Sequence, residues 1–204
     1  MTAHPASTSR ERMPLSAALE VLVRLRTGEI VITTMGAARE WPKLAQHPLD
    51  LHYLPSAMGH APALGLGLAL AQPQREVLVL NGDGCQLMNL GVLVTIVASG
   101  AQNLTLFVLD NGIYEVTGGQ TTAAAATQQG GVDFAGMARA AGFPRVRSFD
   151  RLVDWERDAA AVLRLPGPRF IALAVEPVGA AYQLESPGPI AERLARFQQA
   201  LAVR

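Results

Sequence analysis

Val77-Leu78-Val79-Leu80-Asn81-Gly82-Asp83-Gly84 is the stretch that decides the architecture. A run of Val and Leu without polar alternation reads as a parallel strand buried on both faces, and glycines at its end let the backbone turn sharply beside a ligand. A second apolar run, residues 104–109, ends in the same manner on Asn111-Gly112. Asp83 and Asn111 therefore stand at the carboxyl ends of two strands, the edge at which open α/β sheets bind ligands. One carboxylate and one amide oxygen make a partial shell suited to Mg²⁺, a hard cation that prefers oxygen. Taken alone, each junction also reads as an ordinary turn, because Asp-Gly and Asn-Gly are common turn dipeptides.

With 204 residues, 50% of them hydrophobic and 17% charged, the chain can bury one full core but not two roomy ones. Seventeen basic residues balance seventeen acidic ones, which leaves no electrostatic footprint for nucleic acid or an anionic membrane. Small or weakly charged partners are expected instead. Lys43 is the only lysine, hence the only side-chain amine, and a lone Cys85 excludes a disulfide within the chain. Residues 1–13 read as a flexible polar tail without the apolar core of a secretory signal, and no segment has the apolar length of a membrane span. A cytoplasmic protein is expected.

The rest of the chain alternates strand and helix. Apolar spacing predicts helices at 14–26, 37–44, 58–71, 86–99, 133–141, 150–165 and 190–203, with Asp133 and Asp150 as N-caps. Short strands are predicted at 29–33, 77–80, 104–109, 145–149 and 169–175, and a loop leads to residues 51–54. The pattern argues for an α/β fold: an open parallel sheet with helices on both faces. Residues 58–71 are small and apolar, so that helix can approach a neighbouring backbone closely. Residues 86–99 are apolar on nearly every side, which predicts burial on every side and, in a domain this small, against another chain. Residues 116–131 lack an apolar period and read as a flexible loop near the strand ends. Arg145, Arg147 and Arg151 read as a solvated basic cluster.

The interval between Gly84 and Asn111, residues 85–110, accommodates one helix and one strand. Gly82-Asp83-Gly84, that crossover and Asn111 together resemble the metal-diphosphate motif of thiamine-diphosphate enzymes. Ala57-Met58-Gly59-His60-Ala61 is similar to a second segment of the family. Thr33-Thr34 followed by Arg39-Glu40, and Gly118-Gly119-Gln120, resemble phosphonopyruvate and sulfopyruvate decarboxylases. The likeness covers residues 14–178, which are expected to form the diphosphate-binding (PP-type) domain, with 179–204 a linker and terminal helix.

The resemblance implies thiamine diphosphate and Mg²⁺ as cofactors, with Asp83, Asn111 and the carbonyl of Ile113 on the metal. Gly82, Gly84 and Cys85 would face the diphosphate, Gly84 and Cys85 through backbone N–H groups at a helix start. Met58 would hold thiamine bent, and the carbonyl of Ser56, where the family has Gly, would accept its amino group. Thr33, Thr34 and Tyr114 would complete the cofactor pocket, with His52 and Gln120 as further shaping groups. His60 is a weak candidate proton donor, and a packed histidine is the simpler reading.

The family activates its cofactor with a Glu held on a separate pyrimidine-binding domain. Glu40 and Glu115 are the nearest acids here, and neither matches it. The expectation is a hetero-oligomer in which a partner subunit supplies that Glu, acting on a small 2-oxo acid. Ala37-Ala38 replace a hydroxyl pair of the family and Asp110-Asn111 replace Asn-Asn, which puts a phosphonate or sulfonate headgroup in doubt. Carboligation or acyl transfer on the same cofactor, and a non-catalytic subunit retaining the fold, are the alternatives.

Overall fold

The structure, a computed structural model, describes residues 11–54, 57–125, 131–179 and 188–202. In chain order these form α1 (Leu15–Leu25), β1 (Ile30–Thr33), α2 (Met35–Leu44), β2 (Asp50–His52), α3 (Ala61–Ala71), β3 (Val77–Gly82), α4 (Asp83–Leu87), α5 (Val92–Ser99) and β4 (Leu104–Asp110). There follow β5 (Ile113–Tyr114), a 3₁₀ turn (Glu115–Thr117), β6 (Gln120–Thr121), α6 (Phe134–Ala141), β7 (Arg145–Phe149), α7 (Leu152–Leu163), β8 (Arg169–Ala174) and α8 (Ile190–Ala202).

Six strands pair in parallel in the order β2-β1-β3-β4-β8-β7. Successive residues of a strand face opposite sides, and the two cores divide accordingly. Ile30, Ile32, Val77, Val79, Leu104 and Leu106 pack with α3, α5 and α6 on one face. Val31, Leu78, Leu80, Phe107 and Leu109 pack with α1, α2 and α7 on the other. There the Phe107 ring meets Trp155 edge-on at 6.1 Å, and the indole N–H of Trp155 donates to the carbonyl of Ala18 at 3.0 Å. Because both faces carry helices, the central strands have no solvated side, which is why their sequence shows runs rather than alternation. The strand order reverses between β1 and β3, so their carboxyl ends splay apart and open the crevice in which doubly wound sheets hold ligands.

The predicted close approach of the small-residue helix is present: a Cβ on Gly65 of α3 would stand 2.3 Å from Cγ2 of Val79. That helix starts at Ala61, and residues 58–60 form the turn before it.

Several expectations need correction. Residues 86–99 are not one helix: α4 ends at Leu87, a turn follows, and α5 begins at Val92 after Gly91. Met88, Leu90 and Val94 are exposed at 53%, 37% and 60% rather than enclosed. The segment read as a loop contains β6, the second strand of a β5–β6 ribbon in which Ile113 pairs with Thr121 and Tyr114 with Gln120. Backbone bonds and the buried Thr122 hold it, so it leaves no apolar period. Asp150 does not cap α7; Arg151 occupies the N-cap position without a side-chain bond, whereas Asp133 does cap α6 through Gly136 N–H. Met13, counted with the tail, is buried and bridges to Val175 beside β8. α8 lies against β2, with Phe197 in the core. No helix among the described residues is long and apolar enough to cross a membrane.

Candidate active site

The strand ends around the switch between β1 and β3 line a cleft with Thr34, Met58, Asp83, Gly84, Asn111, Ile113, Tyr114 and Glu115 among its walls. β1 delivers Thr34, whose hydroxyl donates to the carbonyl of Leu80 at 3.1 Å and thereby ties the start of α2 to β3. The next residue, Met35, has φ 46°, a left-handed conformation that costs a non-glycine residue about 1–2 kcal/mol. The distortion lies on the cleft wall, where such strain is found in ligand-binding sites.

β3 delivers Asp83. It opens α4 and is only 2% exposed. One carboxylate oxygen accepts from Gly112 N–H at 3.0 Å and from the Thr122 hydroxyl at 3.3 Å. Burial pushes this carboxyl up to about 6; the charge of Asp110 adds to the rise, while the N–H groups of Gly84 and Gly112 and the Thr122 hydroxyl oppose it. A buried acid beside a second acid, held by neutral donors, is the electrostatic complement of a cation. No cluster of three His, Cys, Asp or Glu side chains placed for a metal occurs among the described residues. A cation here would therefore draw on a mixed oxygen set of carboxylate, amide and backbone carbonyl, which suits a hard ion.

β4 delivers Asn111, whose side-chain oxygen accepts from Ile113 N–H at 3.0 Å, closing a local turn that brings Ile113 into the same cleft. Arg12 donates to the Asn111 carbonyl. Tyr114 packs against Gly84 so closely that a Cβ there would stand 2.5 Å from Cε1 of the ring. Cys85 is buried, and that burial raises its thiol, so it is a packing residue and not a nucleophile.

The structure thus brings Thr34, Met58, Gly82, Asp83, Gly84, Cys85, Asn111, Ile113 and Tyr114 to one cleft. Thr33 does not line it; its hydroxyl bonds the His52 ring at 2.9 Å behind the wall. His60 is exposed and bonds the Met58 carbonyl at 3.0 Å, so it is neither the packed histidine nor a cleft group. Gln120 is exposed and folds back on the Thr117 carbonyl at 3.1 Å. Ser56 lies outside the described residues. Of the two acids, Glu115 lines the cleft and accepts from Val178 N–H, whereas Glu40 pairs with the exposed Lys43 at 2.8 Å.

Sequence reasoning missed the support beneath these groups. Asn81, fully buried, donates to Gln86 at 3.1 Å; Gln86 reaches the Asn89 carbonyl at 3.3 Å, and Asn89 donates to Gly59 at 3.1 Å. This chain of bonds fixes α4 relative to the Met58 turn. Its one signal in the sequence is a polar residue, Asn81, closing an otherwise apolar strand.

Residues 31–173 match the family model of the thiamine pyrophosphate enzyme, C-terminal TPP binding domain. The chain belongs to that family. The thiamine pyrophosphate-binding domain is 36% identical over 200 residues to the phosphonopyruvate decarboxylase of Streptomyces viridochromogenes, covering 96% of this chain and 48% of that protein. It is 38% identical over 161 residues to the sulfopyruvate decarboxylase subunit beta of Methanothermobacter thermautotrophicus, covering 78% of this chain and 80% of that one. The domain therefore spans about half of the phosphonopyruvate decarboxylase and most of the beta subunit. Benzoylformate decarboxylase from Polynucleobacter necessarius superposes with a TM-score of 0.67 at 19% identity, over 86% of this chain and 35% of that one, which shows the shared fold.

Proposed function

We propose that this chain is the cofactor-binding subunit of a heteromeric thiamine-diphosphate-dependent 2-oxo acid decarboxylase, with residues 14–178 as its binding domain. The observation that carries the reading is the buried, cation-seeking Asp83 in one cleft with Asn111, Ile113 and Met58. Asp83, the Asn111 amide oxygen and the Ile113 carbonyl would hold Mg²⁺, and through it the diphosphate. When bound, thiamine diphosphate supplies a thiazolium ring that takes up the electron pair released as carbon dioxide leaves the 2-oxo acid. Met58, on the cleft wall, would pack against the bound cofactor. Leu15, Leu109 and Val175 give the cleft apolar walls that would limit water around a bound cofactor.

The acid that starts the reaction comes from a partner subunit in this reading. The phosphonopyruvate decarboxylase relative carries about as much chain again as the part matched here. Another relative is named as a subunit beta. Glu115, which lines the cleft with Asp83, is committed to Val178 N–H.

Calorimetry with Mg²⁺ and thiamine diphosphate tests the site: wild type binds and Asp83→Ala does not, and equal affinity for the two would overturn it. Carbon dioxide release on adding the partner and a panel of 2-oxo acids tests the activity. Products formed only with an added aldehyde would favour carboligation, and no turnover of any substrate would favour a non-catalytic subunit.

A further inference from the structure

The C-terminal helix α8 holds the chain leaving β2 through the side chain of Arg193. Arg193 donates from Nη1 to the carbonyl of His52 at 2.6 Å, from Nη2 to the carbonyl of Leu54, and from Nε to the carbonyl of Gly188 at 3.1 Å. All three guanidinium nitrogens are thus spent on backbone oxygens, two of them at the exit of β2. One turn further along α8, Phe197 is 4% exposed within the core that includes Leu51 of β2. The pair at i and i+4 occupies one face of the helix: the ring docks it on the edge strand, and the guanidinium grips the chain leaving that strand.

Four residues beyond Leu54 stands Met58. The Met58 turn is closed by His60 N–H to the Ala57 carbonyl at 3.1 Å, and its far side is anchored separately by Asn89 to the Gly59 carbonyl at 3.1 Å. Along the chain Met58 therefore stands between two held carbonyls, that of Leu54, gripped by Arg193 of α8, and that of Gly59, bonded by Asn89 just after α4. An arginine fork is suited to this because its planar donors fix direction as well as distance, which an ammonium cannot do.

We infer that Arg193 is a positioning residue that sets the Met58 turn, making α8 a brace of the cofactor cleft. The link to cofactor binding rests on the functional reading above; the link to the turn does not. α8 has a second tie that serves as a control. Arg75 donates to the carbonyls of Ala200 and Leu201 at 3.5 and 3.2 Å, near the helix end remote from the turn.

The test is backbone hydrogen exchange of a peptide spanning 51–60 in the cofactor-free protein, with thiamine diphosphate affinity measured in parallel. Arg193→Met is expected to speed exchange there about tenfold while α5 and α6 stay protected. Its affinity is expected to fall about five- to tenfold, with Arg193→Lys between it and wild type. Arg75→Met is expected to leave both readouts within about twofold of wild type. Unchanged exchange in Arg193→Met, or an Arg75→Met variant that reproduces its effects, overturns the inference. A wild-type chain that binds no thiamine diphosphate while the exchange difference persists supports the brace and overturns only the functional reading.

Discussion

The ring of Tyr114 occupies the space in which a side chain on Gly84 would stand, with Cε1 only 2.5 Å from the point a Cβ would take. Glycine is required here by contact and not by conformation. Gly84→Ala is expected to cost about 1–3 kcal/mol through overpacking and to displace Tyr114 from the cleft wall. Adding Tyr114→Ala should recover most of that loss, which a denaturant double-mutant cycle measures. Independent, additive effects would contradict the contact.

Asp83 makes the metal-free protein pH-sensitive. Its carboxyl titrates at about 6 in the fold against 3.8 for the free group. Between those values the folded chain binds more protons than the unfolded chain, so stability falls as pH rises through that window and the penalty is complete above 6. The shift corresponds to about 3 kcal/mol at most. Thermal melting in a chelator should therefore show wild type gaining stability on acidification from pH 7.5 to about 5, and Asp83→Asn lacking that gain. Mg²⁺ with thiamine diphosphate should remove the difference by favouring the ionised form.

Two glycines of α3 should respond oppositely to the same change. Gly65→Ala drives a methyl to 2.3 Å from Val79 and is expected to destabilise by about 1–3 kcal/mol. Gly67→Ala points into open space and should stabilise by about 0.5–1 kcal/mol through helix propensity. Urea unfolding midpoints decide both signs.

Asn81 is fully buried, and its amide is hydrogen-bonded to Gln86. Asn81→Leu leaves Gln86 without that donor inside the fold and is expected to cost about 1–3 kcal/mol. Because Gln86 continues to Asn89 and the Met58 turn, thiamine diphosphate affinity should fall as well. Loss of stability with cofactor affinity intact would show that the network does not reach the cleft.

Met88 and Val94 are more than half exposed although apolar. Met88→Glu and Val94→Glu should change the stability of the isolated chain by less than about 0.5 kcal/mol. In the proposed heteromer they should weaken assembly, read by sedimentation with the partner present; unaltered assembly would place the interface elsewhere.

The sequence alone determined the alternation of strands and helices, the parallel sheet, and the placement of Asp83 and Asn111 at the carboxyl ends of two strands, which the sheet order then shows to be neighbours. Such features are local: runs such as 77–80 report burial on both faces, and the length of 85–110 admits one crossover. It misjudged 86–99, because apolar composition does not distinguish one buried helix from two short ones joined by a turn whose Met88 and Leu90 meet solvent. Tertiary structure alone decided what surrounds the site. Thr122 reaches Asp83 from 39 residues away, and Arg193 reaches His52 from 141 residues away. Those bonds depend on how the β5–β6 ribbon and α8 fold back over the sheet edge. Hydroxyls and guanidinium groups spent on long-range backbone and carboxylate partners leave no period or spacing in the chain, so only the folded geometry identifies them.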